Sequence, residues 1–298
     1  MTMNRREMMV AAGAAMLGTF PLRRAFGNAK AATKKVLFFT KSSGFEHSVI
    51  ARKGDKLAHA ERILTEIGKE HGFEVVASKD GRLFDPDKIG EWDAFAFQTT
   101  GDLTKMGDHK DGHPMSKDGE KAFYDAIRDG KGFIGMHCAT DTFGHHRHMD
   151  KHDPYIEMIG GEFSGHGSQQ KAKIIINDPA FPGVKAFGTD SFMLTDEWYT
   201  QRNIADDLHV ILTQETASMH HEGGDRMYNR PSFPETWAHM HGKGRVFYTS
   251  MGHREDVWSN PSYQSLLIGA LDWVTGKVDA SIEPNVAKVT PGYRQGPA

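Results

Sequence analysis

The spacing of apolar positions changes part-way along the chain. In the first half, short continuous apolar runs alternate with segments whose apolar residues recur at helical spacing. "KKVLFFT" (Lys34–Thr40) is such a run, bounded by the polar "KSSG", and its pattern predicts a strand buried on both faces. In "DKLAHAERILTEIGKEHG", Leu57, Ala60, Ile63, Leu64 and Ile67 share one helical face, and Gly72 ends the segment. "FEVVASKD" and "DAFAFQTTG" (Asp93–Gly101) are two further strands. The polar loop "DLTKMGDHKDGHPMS" then leads into a helix, "KDGEKAFYDAIRDG", and "KGFIGMHCA" is a fourth strand. The order β-α-β-β-α-β predicts a parallel sheet covered by helices on both faces, a three-layer α/β fold.

After His152 the pattern shifts. "KAKIIIND", "DSFMLTDEWY", "LHVILTQE", "ETWAHMH" and "RVFYTSMGH" are strands joined by short polar connections, which predicts a more antiparallel second half. "PSYQSLLIGALDWVTG" is the closing helix. "GKGR" (Gly242–Arg245) precedes a strand and not a helix, so it reads as a hairpin turn rather than half of a phosphate loop. No repeat or linker interrupts the pattern. One domain over residues 33–278, followed by a tail over 279–298, is the simplest division of the chain.

Composition narrows the classes. A length of 298 residues suits one large α/β domain. A net charge of -3, without a block of like charge, argues against a basic nucleic-acid groove. A single cysteine excludes a disulfide framework and a Cys-rich zinc cage. Seventeen histidines are more than a core needs, and they direct attention to site chemistry. The first 32 residues have twin arginines, Arg5 and Arg6, then an apolar stretch from Met8 to Phe20 and small residues around Gly27 to Ala32. This is the pattern of a twin-arginine (Tat) signal peptide and predicts a periplasmic or secreted protein. The alternative is an uncleaved amphipathic helix. The apolar stretch is too short for an ordinary membrane span.

In open parallel sheets, ligands sit outside the carboxyl ends of the strands. Three histidines fall there: His47 in "TKSSGFEHS", His137 in "GMHCATD" and His253 in "YTSMGHRED". Glu197 in "LTDEWY" ends another strand, and Asp141 and Glu255 lie close to His137 and His253 in sequence. "GMHCA" has the shape of a nucleophile elbow, with Gly135 and Ala139 in the small positions and His137, not Cys138, in the centre. Cys138 therefore reads as a small buried filler. A histidine at an elbow can move a proton or ligate a metal. His137, His253 and Glu197 would form a two-His-one-carboxylate set, with His47 as a further ligand, suited to zinc or another first-row divalent ion. The alternative is that these groups only organise loops. His145, His146 and His148 lack the spacing of a zincin helix and read as a loop rim. His166, in the Gly-rich "GGEFSGHG", is expected in a loop lining the pocket. Trp198 and Tyr199 are either core or a stacking platform beside Glu197.

"KVLFFTKSSGFEHSVI", "GKGFIGMHCATDT", "GGEFSGH", "DEWY" and "HGKGRVFYTSMGHREDVWSNPSYQSLLIGALDWVTG" together resemble the ThuA-like (trehalose utilisation) family, over roughly Lys34 to Gly276. The resemblance implies a class I glutamine amidotransferase-like, flavodoxin-like fold and a role in sugar metabolism, particularly of disaccharides and their keto derivatives. True class I amidotransferases place Cys at the elbow, where this chain has His137, so glutamine hydrolysis through a thioester is not expected. The expectation is a metal-assisted hydrolase, lyase or isomerase on a carbohydrate. His137, His253 and Glu197 would do the chemistry, and Asp141, His166, Trp198, Tyr199 and Glu255 would contact the sugar. The alternatives are a non-catalytic carbohydrate-binding protein and a surviving Cys138-dependent activity.

Overall fold

The computed structural model describes residues 33–297, except residues 108, 110, 111 and 148–152 and the side chains of residues 145 and 146. The expected signal segment and the side chains of the "HHRH" cluster's three histidines therefore lie outside the described residues. The first half contains β1 (Lys34–Phe39), α1 (His59–Glu70), β2 (Phe73–Ser78), β3 (Ala94–Phe97), α2 (Lys117–Arg128) and β4 (Gly132–Met136). Next come α3 (Pro154–Ile159), β5 (Glu162–His166), β6 (Gln170–Ile176), β7 (Ser191–Asp196), β8 (Tyr199–Arg202) and β9 (His209–Glu215). The chain closes with β10 (Phe233–His241), β11 (Gly244–Thr249), α4 (Glu255–Trp258), α5 (Pro261–Val274) and α6 (Val286–Val289).

The main sheet has the order β2-β1-β3-β4-β11-β10-β9-β6-β7. Strands β2, β1, β3, β4 and β11 are parallel neighbours, in the flavodoxin order with β11 in the last place. From β11 onward every pairing is antiparallel, as the shift in sequence pattern predicts. Alternate residues of the central strands feed two cores. Val36, Phe38, Ala94 and Ala96 pack with Ile63 and Leu64 of α1 and Leu267 and Leu271 of α5. Leu37, Phe39, Phe95 and Phe97 pack with Phe123 and Ile127 of α2 and Tyr155 of α3. A strand buried on both faces shows no polar alternation, which is why these runs read as continuous. Among the described residues no helix is long and apolar enough to cross a membrane.

Two local expectations are corrected. "DSFMLTDEWY" is not one strand: it breaks between β7 and β8, because the buried Asp196 carboxylate accepts from Glu197 N (2.9 Å) and from Gly252 N (2.8 Å). His166 is not in a loop. It ends β5, where it pairs opposite Tyr199 of β8 in a separate antiparallel sheet. Residues beyond α5 lie against the domain: Asn285 N donates to Leu208 O (3.0 Å), and Val286 and Tyr293 are buried in the second core.

Candidate active site

The parallel order brings the carboxyl ends of β1, β4 and β11 to one rim of the sheet. At the end of β4 the chain turns sharply, and His137 adopts φ +44°. A Cβ on Gly135 would lie 2.9 Å from Ile159 Cδ1 and 3.2 Å from Ala139 Cβ, so the elbow needs its small residues. His137 is fully buried. Its Nδ1–H donates to Ser250 O (2.9 Å), and its carbonyl accepts from Tyr248 Oη (2.7 Å). His253 follows β11 just after Gly252, whose amide is the one held by Asp196. His47 follows β1 and is also buried.

These residues converge. The imidazole centroids of His47, His137 and His253 form a near-equilateral triangle with sides of 4.9, 5.2 and 5.1 Å. Glu197 Oε2 lies 3.1 Å from His253 Nδ1 and 3.5 Å from His137 Nε2. One potential ligand atom from each of His47, His137, Glu197 and His253 lies within 4.8 Å of the others, so the four could hold a metal ion. The electrostatics suit a cation. Burial, reinforced by the charges His137 and His253 can carry, pushes His47 down to about 2, so its ring is neutral at ordinary pH. Burial alone would raise Glu197, but hydrogen bonds and charge from His137 and His253 outweigh it and hold the carboxyl well below its usual range. Among the described residues His47 Nδ1 is buried without a hydrogen-bond partner.

The sequence profile described as trehalose utilisation, ThuA, matches residues 35–274. The chain belongs to the ThuA family. Solved structures agree on the fold. A ThuA-like protein from Bacteroides uniformis ATCC 8492 is 19% identical, with TM-score 0.59, over 83% of this chain and 93% of that one. A ThuA-like protein from Parabacteroides merdae ATCC 43184 is 16% identical, with TM-score 0.60, over 84% of this chain and 92% of that one. No functionally curated protein matches the sequence.

Around the four central residues of this ThuA protein the structure distributes the other expected site residues unevenly. Tyr199 Oη lies 3.4 Å from His47 Nε2, and its ring centroid is 4.2 Å from that of His137. His166 stacks on Tyr199 with centroids 5.7 Å apart, and its Nδ1 lies 3.3 Å from Glu197 Oε1. Its side chain is half-exposed, so it forms part of the site's mouth. Glu255 accepts from Ser48 Oγ (2.7 Å) and so ties the His253 turn to the segment after His47. Asp141 ends the elbow turn, with its backbone carbonyl accepting from Gly101 N (2.9 Å). Trp198 is fully buried and donates to Gln170 O (2.8 Å), which makes it a support beneath the site with no face for a sugar. Cys138 is fully buried, and burial pushes its thiol well above the usual range, which removes the thiolate a nucleophile needs.

Sequence reasoning missed the supporting residues. Asp196 precedes Glu197 and fixes both its amide and that of Gly252. Glu235, inside β10, is fully buried and accepts from Thr249 Oγ1 (3.2 Å), Ser250 Oγ (2.9 Å) and Met251 N (3.0 Å), besides Thr236 Oγ1. It thereby shapes the strand end that carries both the Ser250 carbonyl and His253. A carboxylate in the middle of a strand was the available signal.

Proposed function

We propose that this protein is a metal-assisted enzyme acting on a carbohydrate, a disaccharide or keto-glycoside, with zinc or another first-row divalent ion held among His47, His137, Glu197 and His253. The observation that carries the reading is the convergence of three imidazoles and one carboxylate from separate strand ends. His137 fits the role best: its outer nitrogen is committed to a backbone carbonyl, which turns the lone pair of Nε2 toward the centre. When bound, such an ion would polarise a sugar carbonyl or hydroxyl and acidify a coordinated water.

The chain's own groups supply the proton chemistry. In a keto-glycoside the carbon next to the ketone carries an acidified hydrogen. A basic side chain beside the four, such as the half-exposed His166, takes that proton, and the electron pair forms a carbon–carbon double bond. The glycosidic carbon–oxygen bond then breaks, and the departing oxygen receives a proton. Hydrolysis or isomerisation would use the same parts. Tyr199 and the half-exposed His166 flank the centre and would contact sugar hydroxyls. The twin arginines Arg5 and Arg6 support a periplasmic or secreted location through twin-arginine export, a route that carries folded, metal-loaded cargo.

The test is metal analysis of the purified protein beside His137→Ala. About one first-row ion per chain, lost in the variant, is the expected result, followed by turnover of a keto-disaccharide panel that the variant lacks. An equal metal content in both proteins would refute the ligand assignment. Stoichiometric sugar binding without turnover would make the protein a carbohydrate-binding module instead.

A further inference from the structure

His137 and His253 both stand at strand ends and both face Glu197, but their outward nitrogens meet opposite chemistry. His137 Nδ1 faces Ser250 O at 2.9 Å, and a carbonyl only accepts. The hydrogen of the neutral ring is therefore on Nδ1, and Nε2, 3.5 Å from Glu197 Oε2, keeps its lone pair. His253 Nε2 faces the side-chain amide of Gln169, with Nε2 of that amide at 2.9 Å. The amide's orientation is fixed from its other end, because Arg254 Nη1 donates to Gln169 Oε1 at 2.7 Å. Arg254 is itself held by Asp256, whose Oδ1 accepts from Nε at 2.8 Å. Since a guanidinium only donates, the amide oxygen must face Arg254 and the NH2 must face His253. An NH2 donates, so His253 Nε2 is the accepting nitrogen, and the hydrogen of the neutral ring sits on Nδ1. That nitrogen points inward, 3.1 Å from Glu197 Oε2.

A ring nitrogen that carries hydrogen has no lone pair for a metal. Histidines that ligate metals normally send their other N–H to an acceptor, as His137 does; His253 has a donor in that position. For Nδ1 of His253 to ligate, the Gln169 amide would have to turn over and set its NH2 against the Arg254 guanidinium, donor against donor.

We infer that the metal site has three protein ligands, His47, His137 and Glu197, and that Gln169 and Arg254 keep His253 off the ion as an inward-pointing hydrogen-bond donor. This rests on the metal reading above and divides the roles within it. The consequence is functional. Four protein ligands would close a tetrahedral site, which is the structural kind. Two imidazoles and one carboxylate leave positions open for water or a substrate oxygen, which is the catalytic kind. His253 Nδ1–H then stands beside the open positions, where it orients Glu197 and can donate to an oxygen of the substrate. In this scheme Gln169 and Arg254 are positioning residues.

Zinc alone serves as the probe. His253→Ala and the more conservative His253→Gln are expected to retain about one zinc per chain, while His137→Ala loses it, with folding checked by circular dichroism. Gln169→Glu supplies an acceptor, moves the His253 hydrogen to Nε2 and frees Nδ1 to ligate, so zinc should bind roughly tenfold more tightly. In the metal-free protein, nitrogen-15 NMR should find His253 as the Nδ1–H tautomer and His137 also as Nδ1–H. An Nε2–H tautomer of His253, or loss of zinc from folded His253→Gln as complete as from His137→Ala, would overturn the division of roles and leave the metal reading standing. A wild-type chain that takes up no zinc would overturn the metal reading and this inference with it.

Discussion

His137 holds a backbone angle, φ +44°, that side chains other than glycine rarely adopt, and its neighbours are what make it tolerable. The carbonyl is fixed by Tyr248, the ring by Ser250, and the space behind by Gly135. A methyl group at Gly135 would press on Ile159, Tyr248 and Ala139, all in the packed interior. Gly135→Ala should therefore cost about 1–3 kcal/mol in a denaturant titration, and a variant as stable as wild type would show that the elbow is less tightly packed than its distances imply. The adjacent residue makes the opposite prediction. Cys138 is fully buried with a thiol held far from ionisation, so Cys138→Ser should keep full metal content and any sugar turnover. Loss of activity with metal retained would revive a thiol mechanism. Of the residues at this scale, His47, His137, Glu197 and His253 were legible because each follows an apolar run, and the end of such a run can be read locally. Trp198 was not: whether a tryptophan beside a site faces a ligand or the core depends on its partner, here Gln170 O, twenty-odd residues away in a different strand.

The supporting elements meet over still longer distances. The strand pattern predicted the parallel half, because strands covered on both faces read as unbroken apolar runs. It did not predict that β5 pairs with β8, since Gly-rich "GGEFSGHG" carries little strand signal and its pairing is set by the β7–β8 break at Asp196. Glu235 belongs to the same class. It sits in β10, yet three of its hydrogen bonds, from Thr249, Ser250 and Met251, organise the end of β11. Burial, only partly offset by those donors, raises its carboxyl from the ordinary 4.5 to about 7. A raised carboxyl binds more protons in the folded than in the unfolded state between those values, so it makes stability fall as pH rises through that window. The swing is about 3 kcal/mol. Glu235→Gln keeps the shape and removes the titration, so its stability should be flatter between roughly pH 4.5 and 7 than that of wild type. Parallel slopes in the two proteins would mean that the carboxyl is ionised throughout. The His253 turn hangs from the same network, so the variant also reports whether a neutral acceptor in this position leaves zinc binding intact.

At the scale of the molecule, the site joins parts of the fold that have no other reason to meet at one point. His47 and His137 come from the ends of parallel strands β1 and β4. Glu197 comes from the end of β7, at the antiparallel edge of the same sheet. Together these ends bring one carboxylate and three imidazoles to within 4.8 Å of one another. An ion bound there would link the parallel half to the antiparallel extension and would bind the folded state only, because the unfolded chain does not assemble the set. Linkage then fixes the size of the effect. At a free zinc concentration one hundred times Kd, the folded state gains about 2.7 kcal/mol, so thermal unfolding should move upward with zinc and return to the metal-free value with a chelator. His137→Ala should start lower and show no response to zinc, whereas His253→Gln should respond nearly as wild type does. A rise of equal size in wild type and His137→Ala would place the stabilising ion elsewhere on the protein. A response confined to proteins that keep His47, His137 and Glu197 would tie the stability of the whole domain to those three side chains.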